Sequence, residues 1–182
     1  MVVNQVIDCL RRHDKQHREI YDETDRVNSL IERLGNISNF ICTEDKGFAG
    51  NDPRVDLYVQ TDKEYILVEL KLCITSGGTL GRYLLPKVIS TLKKLMQRNI
   101  ASPKDVDVLI VVPKEASLDR VCNRLMRDIT SELRAAGINV DTDMKCLPTL
   151  AFQGALALRT RRPISLEVDT NFIKPAFYVI AI

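Results

Sequence analysis

Apolar residues in the first quarter of the chain recur at helical and then at strand spacing. Apolar positions three and four residues apart predict a short helix over residues 2–12 and a second helix over residues 20–34. Gly35 follows the second stripe, at the position where glycine most often ends a helix. Residues 37–43 are rich in apolar and aromatic side chains, which predicts a strand.

Two further strands are predicted on either side of a short turn. Residues 55–60 alternate between apolar and polar side chains, after the turn formers of residues 44–54. Residues 65–72 are strongly β-prone, and residues 61–64 between the two runs favour a turn. The pair therefore predicts an antiparallel hairpin.

The second half of the chain alternates between helices and strands. After the glycine-rich residues 77–81, an apolar stripe over residues 84–96 predicts a helix. The continuous apolar run 107–112 predicts a strand buried on both faces, and a second stripe predicts a helix over 118–133 that ends near Gly137. Further strands are predicted to start at 138–140 and to lie at 155–158 and 177–182.

This order predicts an α/β fold with a mixed central sheet and additional β structure near residue 182. A chain of 182 residues suits one domain. We expect a core of about residues 20–140, with the helix at 2–12 and residues 141–182 as extensions.

Composition indicates no membrane segment. No run approaches the roughly 20 apolar residues that span a bilayer, and polar residues interrupt the apolar residues of the N-terminus, unlike a signal peptide. The five cysteines have no CxxC spacing, so we expect reduced, buried thiols rather than a zinc site. Together these features predict a cytoplasmic protein without a membrane partner.

The predicted strand 65–72 contains a carboxylate and an ammonium that break its apolar pattern. Alternation in a strand places Glu69 and Lys71 on the same side. A buried charge costs several kcal/mol unless it is paired or bound to a metal, and such violations are typical of functional sites.

A second carboxylate, Asp56, lies 13 residues before Glu69, on the preceding strand. If the two strands pair antiparallel, both carboxylates approach each other and favour a cation between them. Oxygen ligands suit Mg²⁺ or Mn²⁺. Two carboxylates and Lys71 around such an ion are the groups needed to hydrolyse a phosphodiester, because the metal activates water and the lysine orients it or offsets charge on phosphorus.

Asp56, a short hairpin and then Glu69-Leu70-Lys71 resemble the signature of the PD-(D/E)xK nuclease superfamily, with spacing most similar to archaeal-type Holliday junction resolvases. The resemblance covers about residues 20–112, although Val55 stands where the family has proline. It implies a restriction endonuclease-like core of helix, three strands, helix and strand. It also implies an Mg²⁺-dependent endonuclease of repair, recombination or restriction type that hydrolyses DNA.

The resemblance also implies roles for individual residues. Asp56 and Glu69 would bind the metal, with the Leu70 carbonyl as a third ligand, and Lys71 would be the catalytic lysine. Glu32 on the preceding helix would be a further catalytic acid or an outer metal ligand, with Glu44 as a rival for that position.

Basic residues without acids between them predict the nucleic-acid contact. Residues 82–98 contain Arg82, Lys87, Lys93 and Lys94, which we expect to bind DNA phosphates. RNA stays an alternative substrate, and a homodimer is expected if the substrate is two-fold symmetric. A second hypothesis is a catalytically inactive module of the same fold that binds nucleic acid or acts in assembly. A third is a nucleotide-binding protein, which the glycine-rich loop supports only weakly because it lacks a phosphate-loop pattern.

Overall fold

The computed structural model of the protein has eleven elements in the part of the chain that it describes. The described residues are 4–8, 11, 41–43, 55–60, 64–71, 84–97, 105–112, 116–140, 143–149 and 154–181. The elements are β1 (Ile41–Thr43), β2 (Leu57–Gln60), β3 (Glu64–Leu70), α1 (Leu84–Gln97), β4 (Asp105–Val112), α2 (Leu118–Ala135), β5 (Lys145–Pro148), β6 (Ala155–Arg159), β7 (Leu166–Val168), β8 (Asn171–Ile173) and β9 (Ala176–Ala181). Residues 4–8 are also helical, within the helix predicted over 2–12.

The described strands form one seven-stranded mixed sheet and a separate hairpin. The sheet order is β1-β2-β3-β4-β9-β6-β5, and β7 pairs with β8. β3 and β9 run parallel to β4, while the other neighbouring strands pair antiparallel. The predicted α/β class with a mixed sheet is confirmed, as is the antiparallel β2–β3 hairpin. No helix among the described residues is long and apolar enough to cross a membrane.

Strand β3 lies in the buried interior, which explains its nearly continuous apolar sequence. Tyr65 and Leu67 belong to a core cluster that also includes the apolar residues of both helices. Ile66 and Val68, which alternate with them and therefore point to the opposite face, are also fully buried. A strand buried on both faces has no solvated side, so any charged side chain at its end enters a dry environment.

Helix α1 connects β3 to the parallel strand β4 and packs on one face of the sheet. Its buried residues follow helical spacing: Leu84, Leu85, Val88, Thr91, Leu92 and Leu95. Pro86 lies in the first turn, where a missing amide hydrogen is tolerated. Because β3 and β4 are parallel neighbours, the crossover places the first turn of α1 at the end of the sheet where β3 ends.

Helix α2 has the ends that its sequence predicts. The Ser117 side chain accepts a hydrogen bond from the Arg120 amide, which caps the amino end. Gly137 has φ of 74°, and the Ile138 amide donates to the Leu133 carbonyl at 2.9 Å. This is a Schellman cap, in which Ile138 continues the apolar contacts of the helix.

Two predictions are wrong, and one hairpin of the structure was not predicted. Residues 138–140 do not start a strand, because Ile138 belongs to the helix cap, and the next strand is β5. The β7–β8 hairpin was not predicted from the sequence. The expectation of reduced thiols is wrong for Cys122 and Cys146, which form a disulfide between α2 and β5. Since disulfides are rare in reducing compartments, this bond removes the cysteine argument for a cytoplasmic location, which stays a prediction.

Some predictions lie outside the described residues. These are the helix over 20–34, residues 37–40 of the first predicted strand, and the glycine-rich residues 77–81. The division of the chain into a core and two extensions also stays a prediction.

Candidate functional site

Glu69 lies near the end of β3 and its side chain is almost completely buried. The residue is 2% exposed and pairs in register with Ile110 of β4. Strand alternation places it on the same face as Tyr65 and Leu67, towards α1. The sequence therefore directs a carboxylate into the apolar layer between the sheet and this helix.

Asp56 immediately precedes β2 and contacts the same end of β3. Leu57 pairs with Val68, so one further step of the antiparallel register would bring Asp56 opposite Glu69. The Leu70 amide donates a hydrogen bond to Asp56 Oδ2 at 2.7 Å. The Asp56 side chain thus accepts a hydrogen bond that a backbone carbonyl of a neighbouring strand would otherwise accept. This bond fixes Asp56 Oδ2 beside the end of β3.

Two lysines donate hydrogen bonds to one oxygen of Glu69. Lys71 Nζ lies 2.7 Å from Glu69 Oε1, and Lys87 Nζ, from the first turn of α1, donates to the same oxygen. The lysine side chains are 27% and 24% exposed, so both reach from solvent into the buried carboxylate. We call Asp56, Glu69, Lys71 and Lys87 the carboxylate–lysine cluster, which has a formal net charge of zero.

The second carboxylate oxygen of Glu69 is buried without a partner. Glu69 Oε2 has no hydrogen bond to any described residue. Leaving a buried charged oxygen unsatisfied costs about 1–3 kcal/mol or more, so its environment favours a further cation or donor. This atom is the feature of the structure that best fits a metal ligand.

The described donor set for a metal is small. In the part of the chain that the structure describes, no group of three or more His, Cys, Asp or Glu side chains could hold a metal ion. Two carboxylates with a backbone carbonyl and waters would suffice for Mg²⁺, which retains several waters and often uses only one or two carboxylates. Asp56, Glu69 and the Leu70 carbonyl fit that requirement by chemistry, and Glu32 lies outside the described residues.

Of the basic residues predicted to bind phosphate, one lies in the carboxylate–lysine cluster and two lie further along α1. Lys87 lies in the carboxylate–lysine cluster, a contact that the sequence did not predict. Lys93 is half-exposed and lies 4.0 Å from Asp169 at the β7–β8 turn, while Lys94 lies partly buried on α1. Arg82 lies outside the described residues.

Thr91 is a residue of the site region that sequence reasoning missed. Its hydroxyl donates to the Lys87 carbonyl at 2.8 Å and accepts a hydrogen bond from the Val55 amide at 3.3 Å. It is 2% exposed. A hydroxyl inside the apolar stripe of α1 was the available signal, and its role is to tie the helix to the residue before Asp56.

Replacing Thr91 with valine is expected to destabilise the fold by about 1–3 kcal/mol, because the buried Val55 amide loses its acceptor. Urea denaturation measures this change. Thr130→Val is the matched control. The Thr130 hydroxyl donates to the Met126 carbonyl of its own helix and to Met144 Sδ, and among the described residues no backbone amide donates to it. Equal destabilisation by the two variants would contradict the role of Thr91.

One cavity of the described structure lies apart from the carboxylate–lysine cluster. This cavity of about 520 Å³ lies beyond the end of α2, lined by residues such as Leu133, Met144, Arg161 and Ile164, and none of its lining residues belongs to the cluster. The Lys71 and Lys87 side chains are partly exposed, so they can be reached from the protein surface.

Comparisons with protein-family models, with curated proteins and with solved structures found no match to this chain.

Proposed function

We propose that this protein is a metal-dependent nuclease that hydrolyses DNA phosphodiester bonds, an endonuclease of repair, recombination or restriction type. The observation that carries the proposal is the buried Glu69, whose Oε2 has no partner among the described residues while Asp56 and Lys71 lie beside it. A purely structural ion pair gains nothing from an unsatisfied carboxylate oxygen, whereas a metal ligand requires one.

The order of the elements supports a restriction endonuclease-like core. Three strands, β1 to β3, pair antiparallel in sequence, α1 crosses over, and β4 returns parallel to β3. This is the order that the resemblance to PD-(D/E)xK nucleases implies after the first helix. Among the described residues, Asp56, Glu69 and Lys71 lie at the same end of β3.

Each residue of the site has a role in this proposal. Asp56 and Glu69, with the Leu70 carbonyl, would hold Mg²⁺ or Mn²⁺. When bound, such an ion polarises the scissile phosphate and lowers the pKa of a coordinated water. Lys71 orients the attacking water or offsets the negative charge that develops on phosphorus. Glu32 is proposed as an additional acid.

The partner is proposed to be DNA, with RNA as an alternative. Lys93 and Lys94 lie on the same helix as Lys87, about 9–10 Å further along its axis. A DNA backbone that enters the cluster would follow this helix and bring further phosphates to these two lysines. A homodimer remains the expectation for a two-fold symmetric substrate.

One observation favours the second hypothesis, a catalytically inactive module of the same fold. Lys71 and Lys87 both pair with Glu69 and bring the formal charge of the cluster to zero, and the described residues include no group of three or more metal-binding side chains. Cleavage of labelled duplex, single-stranded, flap and four-way-junction DNA in Mg²⁺ or Mn²⁺ distinguishes the two. The nuclease cuts at least one of these substrates, whereas the inactive module binds them without cutting.

DNA binding is expected to weaken steeply with salt, because bound phosphates release counterions. Lys93→Ala should weaken binding of all DNA sequences similarly and reduce the slope of log K against log salt by about 1. Fluorescence anisotropy over a salt series measures both. Lys145→Ala, on the exposed edge strand β5, is the control. An unchanged slope in Lys93→Ala would exclude this lysine from the phosphate contact.

A further inference from the structure

We propose that Lys87 is a positioning residue that substitutes for the divalent cation: its ammonium neutralises Glu69 in the metal-free protein, leaves when the cation binds, and then contacts a phosphate of the substrate. This inference rests on the proposed function, because it assumes a cation at Asp56 and Glu69. In this proposal the Lys87 ammonium has two locations, one without and one with the cation, whereas the Lys71 ammonium stays beside Glu69 in both states.

The location of Lys87 in its helix is the first argument. It is the fourth residue of α1, and the first turn of this helix contains no acid. The amino end of a helix carries a partial positive charge, which disfavours a lysine. Glu132 lies at the same helix end, but its Oε2 accepts a hydrogen bond from the Leu85 amide. The anion that holds the Lys87 ammonium there is therefore Glu69.

The charge of the cluster is the second argument. Two carboxylates and two ammonium groups sum to zero, and both ammonium groups share Glu69 Oε1. A divalent cation on the buried Oε2 would place three positive groups around one carboxylate. Repulsion among them in a poorly hydrated site favours the departure of one ammonium.

The geometry indicates which ammonium leaves. Lys71 is two residues from Glu69 in the same chain segment, and its own amide donates to the Val111 carbonyl at 2.8 Å. This bond fixes its backbone two residues from Glu69, and strand alternation keeps its side chain on the side of the sheet that Glu69 faces. Lys87 reaches Glu69 from a different element, on a flexible four-carbon stem that is 24% exposed. Rotation of this stem moves its ammonium to the surface, where a phosphate of bound DNA would lie.

Thermal unfolding of variants in EDTA and in saturating Ca²⁺ tests the exchange without turnover. In EDTA, we expect Lys87→Met to lower Tm by about 3 °C, because Glu69 loses a counter-ion. In Ca²⁺ this loss should vanish or reverse, and Ca²⁺ affinity should rise about fivefold or more, as reciprocal coupling requires. Lys71→Met should keep its Tm loss in Ca²⁺, and Lys145→Met, four strands away in the sheet, should show no coupling.

Amine acylation of the wild-type protein, read by peptide mass spectrometry, is the second measurement and does not depend on folding of a variant. Lys87 should be labelled at least threefold faster in Ca²⁺ than in EDTA, while labelling of Lys71 and Lys145 stays unchanged. Suppose that Ca²⁺ raises the Tm of the wild type, that Lys87 is labelled at the same rate with and without Ca²⁺, and that Lys87→Met lowers Tm equally in both conditions. That result would overturn the exchange but not the metal centre. If Ca²⁺, Mg²⁺ and Mn²⁺ all leave Tm unchanged and show no measurable binding to the protein, both the metal centre and the exchange are overturned.

Discussion

Asp56→Asn and Glu69→Gln are each expected to reduce DNA cleavage about a thousandfold or more while DNA binding persists. Loss of a metal ligand removes several kcal/mol of stabilisation from the transition state, and about 4 kcal/mol corresponds to three orders of magnitude in rate. Asparagine retains a side-chain carbonyl oxygen that can accept the hydrogen bond from the Leu70 amide. Asp56→Asn therefore removes the negative charge with little change in structure. Single-turnover cleavage and anisotropy measure the two properties separately.

The matched control for this pair is Glu167→Gln, which neutralises an exposed carboxylate on the β7–β8 hairpin. It should cleave DNA at the wild-type rate. Glu69→Gln also leaves the Lys71 and Lys87 ammonium groups without their carboxylate, so its Tm should be recorded beside its activity. Full cleavage by both site variants would exclude this cluster as the active site.

The second large effect is expected at the opposite end of the sheet, at Asp107. Burial, together with the nearby carboxylates of Glu64 and Asp105, raises the pKa of Asp107 from 3.8 to about 6. In the unfolded chain this pKa is ordinary, so between about pH 4 and pH 6 the folded state binds the proton more tightly. Stability contributed by protonated Asp107 is therefore present below pH 4 and is lost as pH rises to about 6.

Asp107→Asn should consequently stabilise the protein at pH 7.5 by up to about 3 kcal/mol relative to wild type, with little difference near pH 4. Tyr178 also faces this group, and its pKa is raised by burial and by Asp107, with Arg159 opposing the shift. Urea denaturation at both pH values measures the effect. Asp119→Asn, in the first turn of α2 where an acid is favourable, should instead destabilise slightly. A loss of stability in Asp107→Asn at pH 7.5 would contradict the burial argument.

The parts of the fold that the sequence predicted are those in which a local pattern determines the structure. Alternation in residues 65–72 predicted that Glu69 and Lys71 share a face, and helical spacing predicted α1 and α2. The turn formers at 61–64 predicted the β2–β3 pairing that brings Asp56 to the end of β3. Burial of one helix face leaves a periodic trace in the sequence, and strand alternation and turn formers are likewise local features.

The missed features depend on backbone conformation or on contacts distant in sequence. The β7–β8 turn places Asp169 and Thr170 at φ of 44° and 67°, which suits a primed hairpin turn, but neither is the glycine that normally signals one. Ile138 was predicted to start a strand because a Schellman cap is often followed by an apolar residue, and an apolar residue after a glycine also suits the start of a strand. The Lys87–Glu69 contact depends on the path between β3 and α1, which no local pattern determines.

The most direct test of the proposed function compares wild-type protein and Lys71→Ala on labelled DNA, in Mg²⁺ or Mn²⁺ and in EDTA. Lys71 Nζ lies 2.7 Å from Glu69 and is not a metal ligand in this proposal, so the variant retains the donor set for the cation. We expect metal-dependent cutting by the wild type, none in EDTA, and binding without cutting by Lys71→Ala. Cutting in EDTA, or cutting by Lys71→Ala at the wild-type rate, would contradict a metal-dependent nuclease site at Asp56, Glu69 and Lys71.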